Sequence, residues 1–112
     1  MEQQIKKVKK DWGHELCLVN NDLYCGKIIF IKKGHRCSIH YHKAKDETFY
    51  ILSGGIMLEI FDDTVVLKKG DIYRLSPNSI HRFTGLEDSE ILEISTHHED
   101  SDSYRLMAGG KI

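Results

Sequence analysis

Four side chains that bind divalent metals well are spread over separate strand-like segments of this chain. The order is Gly34, five residues, His40, one residue, His42, four residues, Glu47, six residues, Gly54, and later His81 after the turn at Gly70-Asp71. In a strand, residues two apart share a face. His40 and His42 can therefore aim at one point, while Glu47 and His81 must reach it from other strands. Only a sheet that closes or folds over on itself brings the four together, which demands an all-β barrel or sandwich.

The remaining pattern agrees. No stretch carries apolar residues at helical spacing for three turns. Short alternating segments recur between Gly, Asn and Asp turns. Strands are expected at about 15–19, 23–31, 37–42, 47–53, 56–61, 64–68, 72–75, 80–84 and 90–96, with turns at Asn20-Asn21-Asp22, Gly54-Gly55, Asp62-Asp63 and Lys69-Gly70-Asp71. At 112 residues the chain is expected to be one domain (1–112), with a core of about 10–98 and a polar, irregular tail over 99–112.

Sixteen basic and 17 acidic residues nearly cancel, which removes the electrostatic case for nucleic acid or a membrane surface. Lys6, Lys7, Lys9 and Lys10 read as a solvated terminal stretch. No apolar run is long enough to span a bilayer, and the residues after Met1 lack a signal-peptide core, so a cytoplasmic location is expected. Cys17, Cys25 and Cys37 are odd in number and lack CxxC spacing, which fits reduced thiols; Cys37 alone lies near the ligands.

These residues resemble the cupin superfamily, the double-stranded β-helix or jelly-roll barrel. Gly34, His40, His42, Glu47 and Gly54 match its first motif at every position. Gly70 and His81 match the second, with three departures: Ser76 stands where proline is expected, Asn78 where the turn glycine is, and Gly85 where the final Asn is. Asn tolerates the left-handed conformation, so that replacement is mild. Within the superfamily the chain resembles the cupin domain of type II phosphomannose isomerases and related sugar-processing cupins, through Trp12-Gly13-x-Glu15, Leu75–Arg82, Glu99-Asp100 and Tyr104-Arg105. The resemblance covers about residues 10–106.

The resemblance implies a divalent-metal site of His40, His42, Glu47 and His81. Three imidazoles and a carboxylate suit Zn, Mn, Fe, Ni or Co without choosing among them. It also implies a small-molecule substrate, a sugar or sugar phosphate, and an isomerase or epimerase in which the metal polarises a carbonyl while a base moves the α-proton. Glu93, His97 and Glu47 are candidate bases. Alternation puts either Ile91, Glu93 and Ser95 or Leu92, Ile94 and Thr96 on the inner face and does not choose. Arg105, by resemblance, holds a phosphate or carboxylate; a solvated tail arginine is the alternative. Phe49 and Phe83 lie two residues beyond a ligand and are assigned to the pocket wall. Lys45 reads first as a surface lysine and otherwise as a pocket group. His14 and His35 read as ordinary surface or core residues. Trp12 caps the barrel mouth or meets a second subunit. A non-catalytic carbohydrate-binding module and an Fe- or Mn-dependent oxygenase or decarboxylase fit the same ligand set. A homodimer is expected, because a small domain with open sheet edges gains from covering them. Leu16, Leu18, Val19, Ile28, Ile29 and Phe30 are the candidate interface.

Overall fold

The computed structural model describes residues 2 and 4–112, and its described residues are all β apart from a single 3-10 turn at Asp100–Asp102. The strands are β1 (Lys6–Lys10), β2 (Gly13–Asn20), β3 (Cys25–Ile31), β4 (His35–Arg36), β5 (Ile39–His42), β6 (Glu47–Ser53), β7 (Gly55–Ile60), β8 (Asp63–Lys68), β9 (Ile72–Leu75), β10 (His81–Gly85), β11 (Ser89–Ser95), β12 (Ser103–Met107) and β13 (Gly110–Lys111). One antiparallel sheet runs β1-β2-β3-β11-β6-β9. The other is centred on β10, with β4 and β5 on one side, β7 and then β8 on the other, and β12 and β13 outside β5 and β4. This is the expected all-β jelly roll. No helix among the described residues is long and apolar enough to cross a membrane.

Two parts of the chain differ from expectation. The lysine-rich start is strand β1, paired residue for residue with β2 from Lys6↔Cys17 to Lys10↔Gly13. Lys10 is half-buried, where a solvated stretch was expected. The polar tail is likewise not irregular: β12 pairs with β5, bringing Ser103 opposite His42 and Arg105 opposite His40. Both segments are too charged to show an apolar period, so pairing with a neighbour decided their state, not their own pattern.

Strict alternation builds the interior. On β3 the inward residues are Cys25, Lys27, Ile29 and Ile31; on β11 they are Ser89, Ile91, Glu93 and Ser95; on β6 they begin Glu47, Phe49 and Ile51. Ile91 faces both Ile29 and Ile51, whereas Glu93 faces Lys27 and Phe49, and Ser95 faces Glu47. One end of the barrel is therefore hydrocarbon and the other polar. Ile29, Ile31, Ile51, Ile56, Leu58, Leu67, Leu75 and Ile91 fill the first end, with Phe49, Phe83, Trp12 and Cys37 grading toward the second. The inner face of β11 is the Glu93 face, which settles the choice that alternation left open. Ile29 lies in this core and is not available to an interface.

Two turns need the left-handed conformation. At Gly54 (φ 78°) an added Cβ would collide with Ser89 Oγ and the Asp88 carbonyl, so only glycine fits between β6 and β7. Asn78 takes φ 69° in the turn before His81, and carries there the role that glycine would have.

Candidate metal centre

The polar end opens into a cavity of about 500 Å³ whose wall includes His40, His42, Glu47, Phe49, Phe83 and Glu93. His40 and His42 come from β5, and the register His81↔His40 lays β10 directly beside them. The ring nitrogens of His40, His42 and His81 lie within 4.8 Å of one another. This is the three-nitrogen set that could hold a metal ion.

The hydrogen bonds fix which nitrogen is free. His40 Nδ1 lies 2.8 Å from the Ser38 carbonyl, His42 Nδ1 3.1 Å from the Asp102 carbonyl and His81 Nδ1 2.8 Å from the Ser79 carbonyl. A carbonyl only accepts, so each Nδ1 carries the hydrogen and each Nε2 presents a bare lone pair. His81 Nε2 is buried with no hydrogen-bond partner, an arrangement that costs free energy unless something electrophilic occupies it. The three histidines are held down at about 4. Burial is the main cause at each, followed by the nearby charge of His81 for His40 and of Lys45 for His42; at His81 the Ser79 carbonyl pulls upward without prevailing. They are neutral at physiological pH, as metal binding requires. The residues present therefore fit a divalent ion.

Glu47 is buried with its Oε2 3.2 Å from His42 Nε2, outside the close three-histidine group but within reach of it. Burial, then the negative charge of Glu93, pushes its carboxyl well above the usual range.

Glu93 and Lys45 form a second buried unit. Lys45 is 3% exposed, so it is not a surface lysine, and its Nζ is 2.8 Å from Glu93 Oε2. Burial alone would raise the Glu93 carboxyl, but Lys45 and then Lys27 outweigh it and hold it below the ordinary value. Lys45 also donates to His98 Nδ1 at 3.2 Å, and His98 Nε2 donates to Asp100 at 3.0 Å.

His97 does not reach the cavity. It faces outward, bound to the Asn21 carbonyl at 2.7 Å and to Glu99 at 3.1 Å. The strand ends at Ser95, the Thr96 N–H still reaches the Asp46 carbonyl in the β11–β6 register, and the chain bends at Thr96. That bend shifts the alternation by one residue, so His98 enters the wall and His97 leaves it. Arg105 is exposed at the cavity rim. Trp12 is buried within this chain, edge-on to Phe83 at 5.6 Å. Sequence reasoning missed Lys27, although the alternation of β3 with Ile29 and Ile31 marks it as inward. It also missed His98 and Asp102, which depend on a bend and on tertiary docking.

Comparison with known proteins agrees with this architecture. The family described as Cupin domain matches residues 27–95, more than half of the chain. A D-lyxose/D-mannose isomerase of Thermosediminibacter oceani is 25% identical over 115 residues, covering 79% of this chain and 64% of that protein, so the chain spans less than two thirds of the relative's length. Among solved structures, KdgF from Halomonas sp. superposes with a TM-score of 0.76 at 17% identity, over 88% of this chain and 90% of that one. Oxalate decarboxylase from Bacillus subtilis superposes with a TM-score of 0.81 at 16% identity, over 91% of this chain and 30% of that one. At such identities the structural likenesses speak to fold alone. Sequence motif, topology and family match converge, and the chain belongs to the cupin family.

Proposed function

We propose that this protein is a divalent-metal-dependent isomerase or epimerase of a sugar or sugar derivative. The observation that carries this reading is the pairing of three bare imidazole nitrogens with a buried, ionised carboxylate, Glu93, in one cavity. The isomerase named for the Thermosediminibacter relative supports it. His40, His42 and His81 would hold the ion, with Glu47 as fourth ligand after losing its hydrogen. A bound divalent ion supplies Lewis-acid polarisation of a carbonyl and its neighbouring hydroxyl.

The chain's own groups then do the rest. Glu93 takes the proton from the carbon beside the polarised carbonyl; the C–H pair becomes the carbon–carbon double bond, and the carbonyl π pair moves to its oxygen, which takes a proton from solvent to give the enediol. Glu93, which exchanges its proton with solvent in a share of turnovers, then protonates the adjacent carbon while the second hydroxyl gives its proton to solvent and becomes the new carbonyl. Lys45 keeps Glu93 charged and fixes its orientation at 2.8 Å. Phe49 and Phe83 wall the cavity on the hydrocarbon side and limit competing water.

The test is to load the protein with Mn, Zn, Fe(II), Co and Ni in turn and incubate it in D2O with free and phosphorylated aldoses and ketoses. Carbon-bound deuterium beside the carbonyl is expected with at least one metal. It should vanish in His81→Ala, which also loses the metal-induced rise in melting temperature, and in Glu93→Gln, which keeps that rise. Occupied metal with no exchange on any sugar would overturn the reading, in favour of a binding module or an oxidative or decarboxylating cupin.

A further inference from the structure

The polar chain that runs from Glu93 to solvent has a fixed direction. An ammonium only donates, so Lys45 gives one hydrogen to Glu93 Oε2 at 2.8 Å and another to His98 Nδ1 at 3.2 Å. His98 therefore carries its own hydrogen on Nε2 and gives it to the exposed Asp100 carboxylate at 3.0 Å. Burial, then the charges of Lys45 and Lys27, hold the His98 ring below its ordinary pKa, so it is neutral and has the lone pair that Lys45 needs.

His98 is itself anchored. The Asn20 side chain accepts its backbone N–H at 3.0 Å and donates to its carbonyl at 2.9 Å. Its ring stands edge-on to His42, with 6.3 Å between centroids. A little further on, Asp102 accepts the Lys45 backbone N–H at 3.0 Å. The segment 98–102 thus grips Lys45 at both ends, the ammonium through His98 and the main chain through Asp102. That segment lies outside the residues 27–95 that match the family.

Beyond the ammonium, the two oxygens of Glu93 are unlike. Oε2 takes Lys45 and also the Ser95 hydroxyl at 3.4 Å. Oε1 makes no hydrogen bond or ion pair among the described residues, and Glu93 stands in the cavity wall.

We infer that His98 is a positioning residue for the base: braced by Asp100 and Asn20, it keeps the Lys45 ammonium on Glu93 Oε2, and so leaves Oε1 as the oxygen that takes the substrate proton. The part played in proton transfer rests on the proposed isomerase reading; the hold on Lys45 does not. Without the His98 acceptor, the ammonium loses one of its two side-chain partners and swings on its flexible stem, and the carboxylate turns with it. A base that is off its line slows the proton step and leaves binding of the substrate as it was.

The test follows deuterium exchange in metal-loaded protein with the aldoses and ketoses of the panel above, for His98→Phe, His98→Asn and Asp100→Ala. His98→Phe keeps a ring and removes the acceptor, and is expected to lower kcat about 10- to 100-fold with KM unchanged. His98→Asn puts an amide oxygen where Nδ1 stands and should bring kcat back to within about threefold of the unaltered protein. Asp100→Ala changes an exposed side chain, so it keeps the test open if His98→Phe does not fold, and should lower kcat about threefold. Melting temperatures and the metal-induced rise are read on the same samples and should not change. The 15N ammonium signal of Lys45 reads the contact without turnover. It should be seen in the unaltered protein and in His98→Asn, and be lost to fast exchange in His98→Phe. A His98→Phe protein with full kcat, an asparagine no better than phenylalanine, or an ammonium signal that persists without the acceptor overturns the role; so does an Asp100→Ala protein with full kcat where His98→Phe does not fold. The two ideas fail separately. Exchange that ignores His98 removes the positioning role and keeps the isomerase, whereas an ammonium signal that depends on His98 in a protein without exchange removes the isomerase and keeps the hold on Lys45.

Discussion

Lys45 and Glu93 meet with side chains only 2% and 6% exposed, which makes them an ion pair that water does little to screen. Such a pair is often near neutral for stability as a whole, because desolvation cancels attraction, but losing one partner strands the other. Lys45→Met leaves the Glu93 carboxylate buried beside Glu47, and is expected to cost about 3–5 kcal/mol in denaturant unfolding. Adding Glu93→Gln removes the stranded charge and should recover most of that loss. If the double variant is as unstable as the two single losses combined, the pair is not coupled and Glu93 is not held by Lys45. Under the proposed isomerase reading the same residue would govern chemistry, since a carboxylate that Lys45 keeps ionised is free to accept a proton at neutral pH. Stability and activity should therefore part company in the double variant, which folds and cannot exchange protons.

The stretch from Glu99 to Met107 shows how an element without an apolar pattern is fixed in place. The Asp102 carboxylate accepts the backbone N–H groups of Lys43, Ala44 and Lys45 at 2.9 to 3.2 Å, and its carbonyl accepts from His42 Nδ1 at 3.1 Å. One residue thus ties the tail to the loop between His42 and Glu47. Burial alone would raise its carboxyl, but the three N–H groups outweigh burial and hold it below the ordinary 3.8. A depressed folded value contributes stability that is present above 3.8 and is lost as pH falls through the folded value. Asp102→Ala should cost about 1–3 kcal/mol at pH 7. Asp102→Asn, which keeps one acceptor oxygen, should cost less, and the gap between it and the wild type should close as unfolding is measured at progressively lower pH below 3.8. A gap independent of pH would mean that the carboxylate charge plays no part. This docking was invisible in the sequence, because an Asp in a polar run carries no sign of which N–H groups it will meet. The convergence of His40, His42 and His81 and the alternation of β3, β6 and β11 were legible, because a period of two leaves its record in residue type. The direction of Glu93 was half legible, since both faces of its strand are apolar enough to be buried. His97 and His98 could not be told apart before the bend at Thr96 was known.

At the scale of the whole molecule, the outer face of the six-stranded sheet is unlike an ordinary surface. Leu16, Ile28, Leu92, Tyr50 and Ile72 stand opposite one another in register from β2 to β9 and form one apolar row across five strands. Alternation puts the core residues on the other face, so this row points outward; Tyr50 is 38% and Ile72 65% exposed, with Ile94 beside them at 54%. Scattered exposed apolar residues are common, but a contiguous row marks a contact surface. Most small homo-oligomers pair one patch with its own copy about a twofold axis, and an apolar sheet face offers such a patch. We therefore predict that the expected homodimer, once formed, uses this face, through Leu16 and Ile28 and not through the buried Ile29, and continues onto β11, β6 and β9. Sedimentation velocity at micromolar concentration should give the mass of two chains. Ile72→Glu or Tyr50→Glu puts a charge in the row and should shift the protein to one chain with its metal binding intact, whereas Leu23→Glu, at an 80% exposed turn outside the row, should change nothing. A single-chain mass for the unaltered protein would show that the row serves another purpose. A two-chain mass that survives both glutamates would move the interface to the sheet edges at β1 and β9.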